Sequence, residues 1–313
     1  MDGPIELTAF GSVLRAVGVL YWILALLGLA AALALPKQWW SKALAASCVL
    51  AGFGWMPVRF GLQAYEASKR LEVATALFEQ RCKTAGEKVS RTVDNVDGVV
   101  WMKWRAETPN QNDQFALDDP FGRDCGGEGC IDNLLRVTRG ADLDPRTAAS
   151  YAKAYRFVES TDPSGHLYRY TGVIKLRPFW TPEALARQQA ITGKGIQPYY
   201  YQFALEREPT ERWQARYGIT WDDVSTWEDR EHWIAGGSLK VIDLQANEVI
   251  AERVGYMMDR GLGSTADFRS PWNYAPWNAC PAFPKTAGGA PFMGYRTRDF
   301  VLKVLKPSQE GQT

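Results

Sequence analysis

Asp222, Asp223, Glu228, Asp229 and Glu231 fall within ten residues of one another, and His232 follows them directly. Paired carboxylates can divide the work of hydrolysis, one donating a proton to the leaving group while the other activates water. Trp221, Trp227 and Trp233 interleave with these acids and suit stacking on sugar rings. On this reading Asp222, Asp223, Glu228 and His232 form a catalytic set acting on glycan. The plainer reading is a solvated helix whose Trp side chains anchor it to a core.

A second acidic group, Asp118, Asp119, Asp124, Glu128 and Asp132, lies in the Gly-rich stretch containing DDPFGRDCGGEGC. Crowded oxygen ligands on such a loop could hold Ca²⁺, but the spacing does not fit an EF-hand, so a solvated acidic loop is expected. His166 and His232 are the only histidines, and Cys125-x₄-Cys130 does not match a zinc ribbon. The chain has no nucleophile elbow, no P-loop and no dinucleotide fingerprint, and GGEGC lacks the Lys that phosphate binding needs. Nothing in the spacing supports Cys82 or Cys125 as a nucleophile paired with His232. No metal and no cofactor is expected.

Five cysteines are present. Cys48 sits in an apolar run, leaving Cys82, Cys125, Cys130 and Cys280 as disulfide candidates with three possible pairings. Outside the cytoplasm the preferred pairing is Cys125 with Cys130, closing one Gly-rich loop, and Cys82 with Cys280, tying a helical stalk to the far end of the domain. The segment SPWNYAPWNACPAFP places Trp272, Tyr274 and Trp277 on a loop, where they could form a partner-binding surface or pack over the sheet.

Two apolar runs decide where these groups are positioned. Ala16 to Leu35 is twenty residues without a charge, enough at about 1.5 Å per residue to span a hydrocarbon core of roughly 30 Å. It is too long for a signal-peptide core, and Leu33-Ala34-Leu35 makes a poor cleavage site, so a retained helix is expected. Ala43 to Val58 follows a short turn, flanked by Lys42 and Arg59, with Trp39 and Trp40 placed as interfacial anchors. Ala43, Ser47 and Ala51, and likewise Ala46, Leu50 and Gly54, repeat at four-residue spacing, and the first set reads as the stripe on which the helices meet. Pro57 should kink the exit. Both termini would then lie on one side of a lipid bilayer. Lys37 and Lys42 argue that the connecting turn is cytoplasmic. Arg15, Arg59, Lys69 and Arg70 argue the reverse, and the even set of soluble cysteines favours an oxidising compartment.

Beyond the membrane runs, Leu62 to Val89 reads as a stalk helix with an apolar stripe at Leu71, Ala74, Phe78, Cys82, Ala85 and Val89. Val96 to Trp104 reads as a strand, and Arg105 to Asp132 as irregular. Tyr155 to Ser160 and Leu167 to Leu176 read as a hairpin about TDPSGH. Thr181 should cap a short helix with Pro182 at its first position. Tyr199 to Glu206 reads as a strand, Trp221 to His232 as one or two helical turns, and Ser238 to Met258 as a hairpin turning at Gln245-Ala246-Asn247. Gly261 to Gly294 reads as loop. A last helix should begin near Thr297 as N-cap and stop at Pro307.

The expected architecture is α+β: a transmembrane helical hairpin over 1–61, an amphipathic stalk over 62–92, a mainly antiparallel sheet domain with a few short helices over 93–306, and a disordered tail over 307–313. The net charge is +1, with +2 on the first 61 residues, which excludes a basic nucleic-acid surface. Thirteen Trp and thirteen Tyr suit β-rich packing or a recognition surface. Together these features predict a bacterial inner-membrane protein with a periplasmic domain, acting as a non-enzymatic binding or complex-assembly module with a protein partner. The alternatives are a membrane-tethered hydrolase of envelope glycan and a cytoplasm-facing sensor subunit.

Overall fold

The computed structural model describes residues 5–108, 111–115, 124–136, 154–178, 181–193 and 199–308. Asp118, Asp119 and tail residues 309–313 lie outside them. The chain divides into two units, Met1–Glu72 and Val73–Thr313.

The first unit is a helical hairpin. It contains α1 (Ile5–Ala34) and most of α2 (Trp39–Cys82), and both helices are long and apolar enough to cross a membrane. Gly28 on α1 faces Val49, and Tyr21 packs on Phe53 with ring centroids 5.4 Å apart. The Tyr21 hydroxyl also donates to the Phe53 carbonyl. The stripe Ala43, Ser47, Ala51 is exposed, while Ala45, Ala46, Val49 and Phe53 are half-buried. The small residue that lets the helices approach is therefore Gly28 on the first helix. α2 runs on through Pro57 without interruption.

The second unit is a mixed sheet. Among the described residues it carries β1 (Gly86–Val89), β3 (Gly98–Trp101), β4 (Phe157–Thr161), β5 (Leu167–Pro178), β6 (Tyr199–Pro209), β7 (Tyr217–Asp223), β8 (Ile234–Asp243) and β9 (Glu248–Met258) in the order β1-β9-β8-β7-β3-β4-β5-β6. A short strand β10 (Ala279–Cys280) also pairs with β9, and β2 (Val93–Val96) pairs with β11 (Leu305–Pro307) in a separate two-stranded sheet. β3 lies parallel to both β4 and β7, and every other pair in the large sheet is antiparallel. The expectation of a mainly antiparallel sheet is thus amended at its centre. All four residues of β3, Gly-Val-Val-Trp, are buried, the continuous apolar pattern of a strand covered on both faces. Gly98 leaves room there for the Phe157 ring on the paired strand, which would lie 2.4 Å from a Cβ at this position.

Two helices cover this centre. α3 (Glu128–Leu135) buries Cys130, Ile131, Leu134 and Leu135. α7 (Arg296–Val304) buries Phe300, Val301 and Val304. Both pack in one core with Val99, Trp101, Val158, Tyr170, Ile219 and Leu239. α3 begins inside the stretch read as irregular, because the gain from burying four apolar side chains outweighs the cost of Gly129 in a helix. α4 (Pro182–Thr192) starts as expected, with the Thr181 hydroxyl accepting from the Ala184 N–H at 3.2 Å.

The stalk stripe needs correction. α2 ends at Cys82, not Val89, and Gly86–Val89 becomes the edge strand β1. Gly86 takes φ +140°, which breaks the helix and starts the strand. Pro307 likewise belongs to β11, not to a tail.

Candidate functional site

The end of α2 is fastened to the sheet domain at two points. Arg81 Nε donates to Asp229 Oδ1 at 2.8 Å, and Cys82 lies at disulfide distance from Cys280 with Cα atoms 5.6 Å apart. Cys125 and Cys130 form the second such pair, with Cα atoms 4.9 Å apart. Both distances fall in the range that disulfide geometry permits.

Asp229 belongs to α5 (Trp227–Glu231) and is fully buried. The Thr226 hydroxyl accepts from the Asp229 N–H at 3.1 Å, and the Asp229 carboxylate accepts from the Thr226 N–H at 2.8 Å. This reciprocal capping box satisfies two otherwise orphaned donors at the helix start. Its hydrogen bond to Asp229 raises the Arg81 pKa above the ordinary value.

The neighbouring acids have separate partners. Asp222 takes Lys240 at 3.0 Å and Lys103 at 3.8 Å. Asp223 pairs with the buried Arg230. Glu231 accepts from the Trp227 indole N–H at 3.0 Å, and His232 Nδ1 lies 2.9 Å from the Glu228 carbonyl. Asp222 and Asp223 are consecutive on β7, so their side chains leave opposite faces of the sheet. Asp223, through Arg230, and Asp229, through Arg81 and Thr226, seat α5, while the Glu231 bond to Trp227 stays within the helix. It does not gather Asp222, Asp223, Glu228 and His232 at one point. Among the described residues no three His, Cys, Asp or Glu side chains group as metal ligands.

The aromatic segment divides between core and surface. Trp272 in α6 (Pro271–Tyr274) is only 2% exposed and packs on Trp233 with centroids 5.1 Å apart, beside Ala235, Met257 and Ala275. Its indole donates to the Asp113 carbonyl at 2.9 Å. Trp272 is therefore an anchor, not a surface for a partner. Tyr274 is 47% exposed and lies under the Arg269 guanidinium at 4.5 Å. Trp277 is 56% exposed on a 3₁₀ turn, Ala275–Asn278, that leads into Cys280.

Residue types alone did not point to the companion surface. Trp227, 68% exposed, stacks on Phe115 with centroids 4.2 Å apart. Residues 111–115 stitch the two aromatic groups together. Gln114 donates to the Arg230 carbonyl at 2.7 Å, and Gln111 accepts from the Trp272 N–H at 3.2 Å. The Thr226-x-x-Asp229 spacing is the local signal that marks the start of this helix, within the Trp221 to His232 stretch read as helical turns.

No protein-family model matches the chain, and no curated protein and no solved structure matches it either.

Proposed function

We propose that the chain is a membrane-anchored envelope protein whose domain binds a protein partner and has no catalytic role of its own. The observation that carries this reading is the mounting of Tyr274 and Trp277. Both are exposed, yet their segment is fixed by buried Trp272 at one end and by Cys280 at the other. Rigid, partly exposed aromatics lose little side-chain entropy on binding and dominate many interfaces. Trp227 and Phe115 extend the surface through the 111–115 stitch. The hydrolase alternative is disfavoured by the separate engagement of its acids.

The proposed location is a bacterial inner membrane spanned by α1 and the first part of α2, with the domain in the periplasm. The two cysteine pairs support an oxidising compartment.

Placing a photo-crosslinking residue at Trp277 in cells tests the partner. The expected result is a discrete crosslinked species that Tyr274→Ala diminishes. Crosslinking no stronger than from exposed Glu183 on α4 would refute the reading.

A further inference from the structure

A cavity of about 60 Å³ opens where β9 changes partner along one edge. β1 pairs with β9 as far as Gly86 opposite Val254, and β10 begins at Cys280 opposite Tyr256. Gly255 falls between them, in a notch flanked by the Cys82–Cys280 bridge. Arg253 and Arg296 line the notch, with Glu87, Pro281 and Phe283 as walls.

Its charges are unevenly spent. Arg253 lies over the Phe300 ring at 5.6 Å and gives Nη1 to the Arg296 carbonyl at 2.6 Å. A guanidinium has five N–H donors. Among the described residues neither Arg253 nor Arg296 has a carboxylate at ion-pair distance from its side chain. The two nearby acids act on Arg253 through their charge but have hydrogen-bond partners of their own. Glu87 takes Lys303 at 2.7 Å, and Asp124 accepts the N–H groups of Arg296 and Thr297 at 2.8 and 2.5 Å. Burial lowers the Arg253 pKa to about 10, opposed by the Asp124 and Glu87 carboxylates and aided by Arg105 and Arg296, so it stays charged at neutral pH. A half-buried cation with unspent donors favours an anion that can take them in pairs.

We propose that this notch binds a small oxyanion, a phosphate or carboxylate group, through the guanidinium groups of Arg253 and Arg296. The site is independent of the aromatic surface, and neither stands or falls with the other. Its volume admits the anionic group itself, and Pro281 and Phe283 supply apolar walls.

The test is thermal unfolding of the full chain in detergent, titrated with phosphate or acetate against chloride at fixed ionic strength. The expected result is a saturable rise in midpoint that needs at least tenfold more anion in Arg296→Ala. That variant keeps the backbone carbonyl that Arg253 uses and the N–H that Asp124 accepts, so it retains the fold. Arg253→Lys, which keeps the charge but loses the fork, should weaken the response comparably. Exposed Arg187→Ala should leave it unchanged. A stronger response to phosphate assigns a tetrahedral anion, and a stronger response to acetate a carboxylate. No saturable rise with either anion, or the same rise in Arg296→Ala and Arg253→Lys as in the wild type, overturns the proposal.

Discussion

Cutting the two cysteine bridges separately should have very different effects. Cys82 and Cys280 are separated by 198 positions, Cys125 and Cys130 by 5. In the chain-entropy description, closing the longer loop stabilises the fold by about 5 kcal/mol and the shorter by about 2 kcal/mol. The difference, about 3 kcal/mol, depends only on the logarithm of the loop ratio. Packing complicates a direct comparison, because Cys130 is buried in the core. Each variant is therefore compared with itself, oxidised and reduced. Urea unfolding of the detergent-solubilised chain, followed by Trp fluorescence, measures the change on adding dithiothreitol. Cys82→Ala/Cys280→Ala keeps only the short bridge and should lose about 2 kcal/mol on reduction, while Cys125→Ala/Cys130→Ala should lose about 5 kcal/mol. Equal losses in the two variants would refute the reasoning.

Asp229→Asn should destabilise the domain by about 2–4 kcal/mol, since it weakens both the capping box and the charged bond from Arg81, whereas Thr226→Ala should cost about 1 kcal/mol. Urea midpoints compare the two. Arg216, with the backbone N–H groups of Ala246 and Gln245, holds the buried Asp243 carboxyl well below the usual carboxylate range. Its contribution is full above the unfolded pKa of about 4 and is lost as pH falls below it, so Asp243→Asn should flatten the acid limb of a stability–pH curve. Trp272→Ala should cost about 3–5 kcal/mol and Trp277→Ala less than about 0.5 kcal/mol, because only the first ring is buried. Comparable losses at the two positions would undo the division between anchor and surface.

Local signals in the sequence carried the elements whose determinants are local. The hairpin of β8 and β9 follows from its Val and Ile content and a turn in which Asn247 takes φ +51°. The start of α4 follows from Thr181 and Pro182. What stayed hidden depends on distant partners. The parallel placement of β3 is decided by Phe157 and Tyr217, far along the chain. Thr297 reads as a helix cap, but its hydroxyl accepts from Arg105 at 3.1 Å and the capping role passes to Asp124, 173 residues earlier. Trp272 and Trp277 look alike in sequence, and only the Asp113 carbonyl and Trp233 distinguish them. A catalytic reading of the acids around α5 stood beside the plainer one because residue types are visible in a sequence, while two of the cationic partners, Arg81 and Lys240, lie outside the acidic stretch.

For the proposed membrane anchor, the side on which the domain would lie turns on two opposed signals. Arg15, Arg59, Lys69 and Arg70 outnumber Lys37 and Lys42, a bias toward a cytoplasmic domain. The cysteines argue the other way with a chemical requirement. All four cysteines of the sheet domain are paired at disulfide distance, and the free one, Cys48, lies in the apolar run. A reducing cytosol would keep those four as thiols. Set against a bias of four cations to two, the cysteine pairs support an oxidising compartment, and the proposed side is the periplasm. Alkylation of the unreduced native protein decides the matter. One reactive thiol, Cys48, is expected after denaturation without reductant. Labelling of Cys82 and Cys280 under the same conditions would move the domain to the cytoplasm and remove the bridge that flanks the Arg253 notch.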